Sequence, residues 1–75
     1  MRLCASGRFL IGTTTENNSA LLNLTSTSSG FLPPRMTTTQ KNAIGTPAAG
    51  LMVFDTTLAK LCVYNGTAWE TITSL

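Results

Sequence analysis

The carboxylates are the first residues to test for chemistry, because a pair of them can cleave glycosidic bonds. The chain has three, Glu16, Asp55 and Glu70, and it contains no histidine. Asp55 and Glu70 lie on segments with strand composition and could in principle form a glycosidase pair. Acidic side chains on a small sheet are far more often solvated or paired with a cation, and the commonest general base is missing. We therefore expect no catalytic residues.

Metal and cofactor sites are also not predicted. The cysteines, Cys4 and Cys62, are far apart, and with no histidine the chain lacks the four nitrogen and sulfur ligands of a structural zinc site. The glycines form no phosphate-binding loop pattern. Two interpretations of the cysteines stay open on the sequence, a Cys4–Cys62 disulfide and two buried thiols, of which the thiols are the simpler.

Arg35 is the basic residue most readily assigned a specific contact, because it directly follows Pro33 and Pro34. It could form an ion pair with Asp55 or Glu70, of the same chain or of a neighbouring one. The alternative is a solvated surface arginine. The sequence leaves both interpretations open.

Two aromatic residues, Tyr64 and Trp69, flank a predicted hairpin turn. Their rings could stack on a sugar, which makes a small carbohydrate-recognising β module the alternative function. Aromatic residues at such positions also stabilise hairpins by cross-strand pairing, by up to about 1 kcal/mol. We favour the second role, in which Trp69 is a cross-strand or interface anchor.

The overall charge excludes two classes of partner. The net charge is +2, and the five basic residues are scattered singly, which is too little for a nucleic-acid footprint. No apolar run approaches the length needed to cross a membrane. We expect neither nucleic acid binding nor membrane insertion.

The N-terminal part, residues 1–29, is predicted to contain short strands. Residues 8–12, "RFLIG", have strand composition, with Phe9 and Ile11 on one side and Leu10 on the other. After a polar turn, "ALLNL" at 20–24 resumes an extended apolar segment.

The middle part, residues 30–50, begins with the stretch "GFLPPRMT". Pro33 and Pro34 restrict the backbone before them, which predicts an extended, polyproline-like segment. Thr37 and Gln40 then have the spacing of a capping box. We expect a helix of one or two turns over 38–44 that ends at Gly45.

The C-terminal part, residues 51–75, carries the clearest signal. Segments 51–55, 60–64 and 67–73 have the composition and length of strands. "TTLA" suits a four-residue turn, and Asn65-Gly66 predicts a two-residue type I′ turn, because both residues tolerate positive φ. The fold prediction is thus mainly β, with short N-terminal strands, an extended Pro-Pro segment, one short helix and a three-stranded antiparallel meander, in a single module of residues 1–75.

The meander is predicted to be apolar on both faces. Met52 and Phe54 point opposite to Leu51 and Val53, yet all four are apolar, so both faces should be covered. A chain of 7.9 kDa buries only about 60% of its surface on folding and needs a staple, a metal or a partner. A second copy of itself is the most economical partner. The residues expected at the contact between copies are Phe31, Leu32, Pro33, Pro34, Met52, Phe54 and Trp69.

Four segments taken in order resemble a module of phage tail-fibre and related trimeric fibre proteins. These segments are "RFLIGTTTEN", "GFLPPRMTTTQKNAI", "PAAGLMVFDTT" and "KLCVYNGTAWE", and together they run from about Arg8 to Glu70. The resemblance implies a non-enzymatic structural segment in which three chains intertwine about one axis. It further implies a place in the tail fibre of a virion, assembly in the host cytoplasm, and contacts with adjoining fibre segments or a cell-surface glycan.

Overall fold

The computed structural model describes residues 1–73, and the chain divides between Phe31 and Leu32 into two compact units. The predicted mainly β fold with one short helix is confirmed. The elements, in chain order, are strands β1 (Arg2–Leu3), β2 (Phe9–Ile11), β3 (Leu22–Leu24) and β4 (Arg35–Met36), helix α1 (Thr38–Asn42), and strands β5 (Met52–Asp55), β6 (Lys60–Tyr64) and β7 (Trp69–Thr71). That residues 1–75 act as a single module stays a prediction.

The N-terminal unit is a three-stranded sheet in the order β1-β2-β3. The two strands expected near residues 8–12 and 20–24 are confirmed as β2 and β3, and they are parallel. Strand β1 was not predicted, because two residues show no hydrophobic alternation. It pairs antiparallel with β2, with Arg2 opposite Leu10 and Leu3 opposite Phe9.

Gly12 lets the chain leave β2 beside the end of β3. Its φ is +84°, and a Cβ at this position would lie 1.9 Å from the carbonyl oxygen of Thr25. The backbone N–H of Thr25 itself donates to the carbonyl oxygen of Ile11 at 2.9 Å. Only a residue without a side chain fits this close approach of two backbones.

The C-terminal unit is a four-stranded sheet in the order β4-β5-β6-β7. The predicted meander is confirmed as β5, β6 and β7, which are antiparallel. Strand β4, not predicted, adds to the edge of the meander parallel to β5. The carbonyl oxygen of Pro34 accepts from the backbone N–H of Phe54 at 2.8 Å, and that of Met36 accepts from Thr56 at 2.8 Å. An edge position suits a strand that follows prolines, which donate no backbone hydrogen bond.

Of the two hairpin loops, one was predicted correctly and the other was not. The four-residue turn over 56–59 is confirmed, with Ala59 at a φ of +56°. The type I′ turn at Asn65-Gly66 is wrong, because Asn65 is not among the described residues with positive φ and Tyr64 pairs with Trp69 across a loop of four residues. The side chain of Asn65 accounts for the difference, since its Oδ1 accepts from the backbone N–H groups of Thr67 at 2.8 Å and Ala68 at 2.9 Å. Gly66 keeps a φ of +100°.

Helix α1 begins with the capping box that the sequence predicts. Thr37 is the N-cap, and its hydroxyl accepts from the N–H of Gln40, whose side chain accepts from the N–H of Thr37. The helix ends at Asn42, before the predicted end at residue 44. Just beyond the helix, Thr46 has a positive φ of +45°.

Few apolar side chains among residues 1–73 are buried. They are Cys4 and Leu10 in the N-terminal unit and Val53 and Cys62 in the C-terminal unit, and both cysteines are free thiols. Among residues 1–73, no helix has the length and apolar character to cross a membrane. The small core leaves many large apolar side chains in contact with solvent.

Candidate functional site

One face of the C-terminal sheet is closed by α1 and contains a buried ion pair. The Nζ of Lys41, on α1, lies 2.9 Å from Oδ2 of Asp55, the last residue of β5. The side chains are only 5% and 0% exposed, respectively. The Lys41–Asp55 pair therefore joins the helix to the sheet away from water.

Asp55 accepts hydrogen bonds on both carboxylate oxygens. Its Oδ2 also accepts from the hydroxyl of Thr38 at 2.7 Å, and its Oδ1 accepts from the backbone N–H groups of Thr57 at 2.9 Å and Leu58 at 3.0 Å. Burial alone would raise the pKa of Asp55, but these donors and Lys41 outweigh it and lower the pKa from 3.8 to about 2. The carboxylate stays ionised at neutral pH.

Lys41 is held between three groups. Besides Asp55, its Nζ lies 3.7 Å from Sγ of Cys62 and 5.7 Å from the centroid of the Trp69 ring. The hydrogen bond to Asp55 raises the pKa of Lys41 above its ordinary value, against the opposing effect of burial. Both shifts favour the charged forms, so a protonated lysine and an ionised carboxylate hold the helix and the sheet together.

The buried pair was not predicted from the sequence, which assigned Asp55 to Arg35 as one of its candidate partners. Arg35 is exposed, and the ion pairs found within residues 1–73 are Lys41–Asp55 and Arg8–Glu16. A pair between Arg35 and a carboxylate of a neighbouring copy stays a prediction. The signal that could have found Lys41 is its position one turn after the capping threonine, which places it over the strand that ends at Asp55.

The opposite face of the sheet is apolar and partly open to solvent. Register places Met52, Phe54, Leu61 and Val63 together on this face, away from the face that carries Asp55 and Cys62. Met52 is 43% exposed and the other three are half-buried. The face is bounded by opposite charges, with Arg35 beside Phe54 on the β4 edge and Glu70 beside Val63 on the β7 edge.

Tyr64 and Trp69 lie directly opposite each other on β6 and β7. Their ring centroids are 5.3 Å apart at an interplanar angle of 69°, an edge-to-face contact. Both side chains are half-buried. Trp69 thus packs within its own chain against Tyr64 and the Lys41 ammonium group, an arrangement typical of a cross-strand anchor.

The Pro-Pro segment carries two large side chains that the chain leaves uncovered. Phe31 is 65% exposed and Leu32 is 66% exposed. Pro33 is half-buried and Pro34 is exposed. Exposed apolar groups next to a stiff backbone are characteristic of a surface that another molecule covers.

Most of the chain matches one known protein family. A family model described as a phage tail like trimerisation region matches residues 10–75. The chain belongs to this family. Chains with a trimerisation region associate as three copies of one chain. The chain therefore has a structural role, and its partners are other copies of the same chain.

No curated protein and no solved structure matches the chain. Among the described residues, no group of three or more His, Cys, Asp or Glu side chains is placed to hold a metal ion. The apolar surfaces described above are the candidate sites of association, and the Lys41–Asp55 pair lies on the opposite face of the C-terminal sheet.

Proposed function

We propose that the chain is a non-enzymatic, trimer-forming segment of a viral tail fibre or a related fibrous adhesin. The single observation that carries the proposal is the family match over residues 10–75. The exposed apolar side chains of Phe31 and Leu32 support it, because a trimer interface would cover them. The segment would act in the virion, as part of the tail, after assembly in the host cytoplasm.

The contact between copies is proposed to use the Pro-Pro segment and the open face of the C-terminal sheet. Its residues are those expected from the sequence, namely Phe31, Leu32, Pro33, Pro34, Met52, Phe54 and Trp69. Prolines restrict the segment before assembly, so ordering it at an interface costs little conformational entropy. Trp69 is half-buried and would act by supporting the sheet from its closed side.

Threefold symmetry fits the charges that border the open face. In a ring of three copies each contact is heterologous, so one edge of a subunit meets a different edge of the next subunit. Arg35 and Glu70 lie at opposite edges of the same face. Arg35 of one copy would then pair with Glu70 of its neighbour, which gives the assembly a defined direction around the axis.

Mass measurement tests the proposal directly. Size-exclusion chromatography coupled to light scattering should give a mass about three times the 7.9 kDa of the chain at micromolar concentration. A single chain lacks the neighbouring copies that cover its interface, so dissociation on dilution should lower the melting temperature. A folded single chain whose melting temperature is independent of concentration would refute the proposed function.

A further inference from the structure

The N-terminal sheet has a face made entirely of apolar side chains. In the observed register, Leu3 lies opposite Phe9, Phe9 opposite Leu22, and Ile11 opposite Leu24. Paired residues point to the same side of a sheet and alternate residues of one strand share a side. These five residues, Leu3, Phe9, Ile11, Leu22 and Leu24, therefore form one surface, which we call the N-terminal apolar face.

This face is open to solvent in the single chain. Leu3 is 71% exposed, Ile11 43%, Leu22 53% and Leu24 42%, and Phe9 is half-buried. The other side of the same strands carries Arg2, Leu10 and Asn23, where Leu10 is fully buried. The buried leucine lies on one side of the sheet and the unpartnered apolar residues lie on the other. A sheet face exposed to water usually carries polar side chains, and this one does not.

We propose that the N-terminal apolar face is a second self-association surface, covered by the same face of the other copies of this chain. This proposal rests on the proposed function and names an interface that the Pro-Pro segment does not provide. The trimerisation region starts at residue 10, so most of β2 and all of β3 lie inside it. A region that assembles copies of one chain supplies the occupant for an open apolar surface within it.

The chemistry of the face favours an identical surface as its partner. It carries no charged or hydrogen-bonding side chain, so it offers no group to orient a polar ligand. Identical apolar faces complement one another without unpaired polar groups, and three of them around an axis enclose a core that no single copy has. Strands of three residues are short enough for side chains from all three copies to meet at that axis.

The test compares two double variants of the full chain. Leu22→Ser with Leu24→Ser removes two apolar groups from the face, and Leu21→Ser with Leu58→Ser removes two exposed leucines that lie outside it. Light scattering over a dilution series gives the concentration at which half of the assembly has dissociated. We expect that concentration to rise at least tenfold in the first variant and to stay within twofold of wild type in the control.

Each other outcome has a definite meaning. If the wild type is a trimer and both variants dissociate at the same concentration, the second surface is wrong and the proposed function still stands. A wild-type chain of single-chain mass would overturn both. Far-ultraviolet circular dichroism reports whether the first variant retains its strands.

A second measurement does not depend on a destabilising change. The native cysteines, Cys4 and Cys62, are buried, so they give little background in oxidative cross-linking. The variant Leu24→Cys should form covalent dimers under mild oxidation of the assembled protein, and Leu21→Cys, outside the face, should not. Absence of Leu24→Cys dimers in protein of trimer mass would contradict the proposal even if the serine variant fails to fold.

Discussion

Lys41 and Asp55 form a salt bridge of 2.9 Å between a one-turn helix and a sheet, with both side chains excluded from solvent. A helix of five residues is far too short to be stable alone. It is held at its first turn by the capping box and at its last turn by this salt bridge. The closed face of the C-terminal sheet therefore combines a buried ion pair with a small apolar core of Val53 and Cys62.

Removing the lysine should destabilise the fold strongly. In Lys41→Met the aliphatic stem is retained, but Asp55 is left buried without its counter-charge. We expect the melting temperature at fixed protein concentration to fall by roughly 10 °C or more. The matched control is Lys60→Met, at an exposed position, where the change should be no more than a few degrees. Equal effects of the two substitutions would show that the buried pair contributes nothing.

Stability should fall in acid because of Asp55. Its folded pKa of about 2 lies below the ordinary value of 3.8, so the carboxylate contributes stability that is fully present above about pH 5. That contribution is lost as the pH falls through 4 towards 2. The hydrogen bond from Ser6 also lowers the pKa of Glu16, so acid acts on both units. Melting curves between pH 7 and pH 2 should show a clearly shallower loss for Asp55→Asn than for wild type; identical slopes would rule out Asp55 as the main cause.

The Pro-Pro segment should be required for assembly. Phe31→Ser with Leu32→Ser leaves the strands and hairpin loops intact but removes two side chains whose burial would contribute about 3–6 kcal/mol per subunit. We expect the trimer mass to be lost at micromolar concentration. The control is Leu21→Ser with Leu58→Ser, which removes similar apolar area elsewhere. Unchanged mass and melting temperature in the Phe31 and Leu32 variant would mean that the segment is only a linker.

Exchange of charges tests the pairing of Arg35 with Glu70 across subunits. Arg35→Glu places two carboxylates together at each contact and should weaken association, with the larger effect at low salt. Adding Glu70→Arg should restore most of the loss, since the pair is then re-formed in the opposite sense. The same dilution series by light scattering measures both variants. Failure of the double variant to recover would argue for a solvated Arg35.

The loop after β6 should not tolerate a β-branched residue at Gly66. Its φ of +100° is strained for any residue with a Cβ, so Gly66→Val should cost about 1–2 kcal/mol per chain. Gly45→Val is the matched control, because Gly45 has an ordinary φ and no other group lies within 4 Å of the place that its Cβ would take. Thermal unfolding distinguishes the two, and equal melting temperatures would contradict the observed loop conformation.

Local signals in the sequence were enough to locate most elements. The capping box at Thr37 and Gln40 predicted the start of the helix, and the apolar composition of 51–55 and 60–64 predicted the hairpin. The short strands β1 and β4 were missed because two residues carry no periodicity; each exists only by pairing with a longer strand. The type I′ prediction failed because the side chain of Asn65 forms hydrogen bonds that a backbone rule does not consider.

The candidate site was predicted less completely than the fold. An apolar second face was expected from the alternation at Met52 and Phe54, and its register and the exposure of Met52 agree with that expectation. The partner of Asp55 was not predicted, because Arg35 was the cation considered and the position of Lys41 on α1, one turn after the capping Thr37, was not used. Which residues meet in the assembly stays a prediction that the variants above test.

The strand order of the C-terminal sheet has a consequence for the timing of assembly. Its hairpins pair residues close along the chain, with Asp55 opposite Lys60 and Tyr64 opposite Trp69. Such local contacts form quickly, on the order of microseconds for a hairpin, whereas the meeting of three chains depends on their concentration. Each subunit should thus form its sheets before it meets its partners. Until then its apolar surfaces stay exposed to solvent. Synthesis of many copies close together would shorten the interval before association, and so reduce the time available for aggregation.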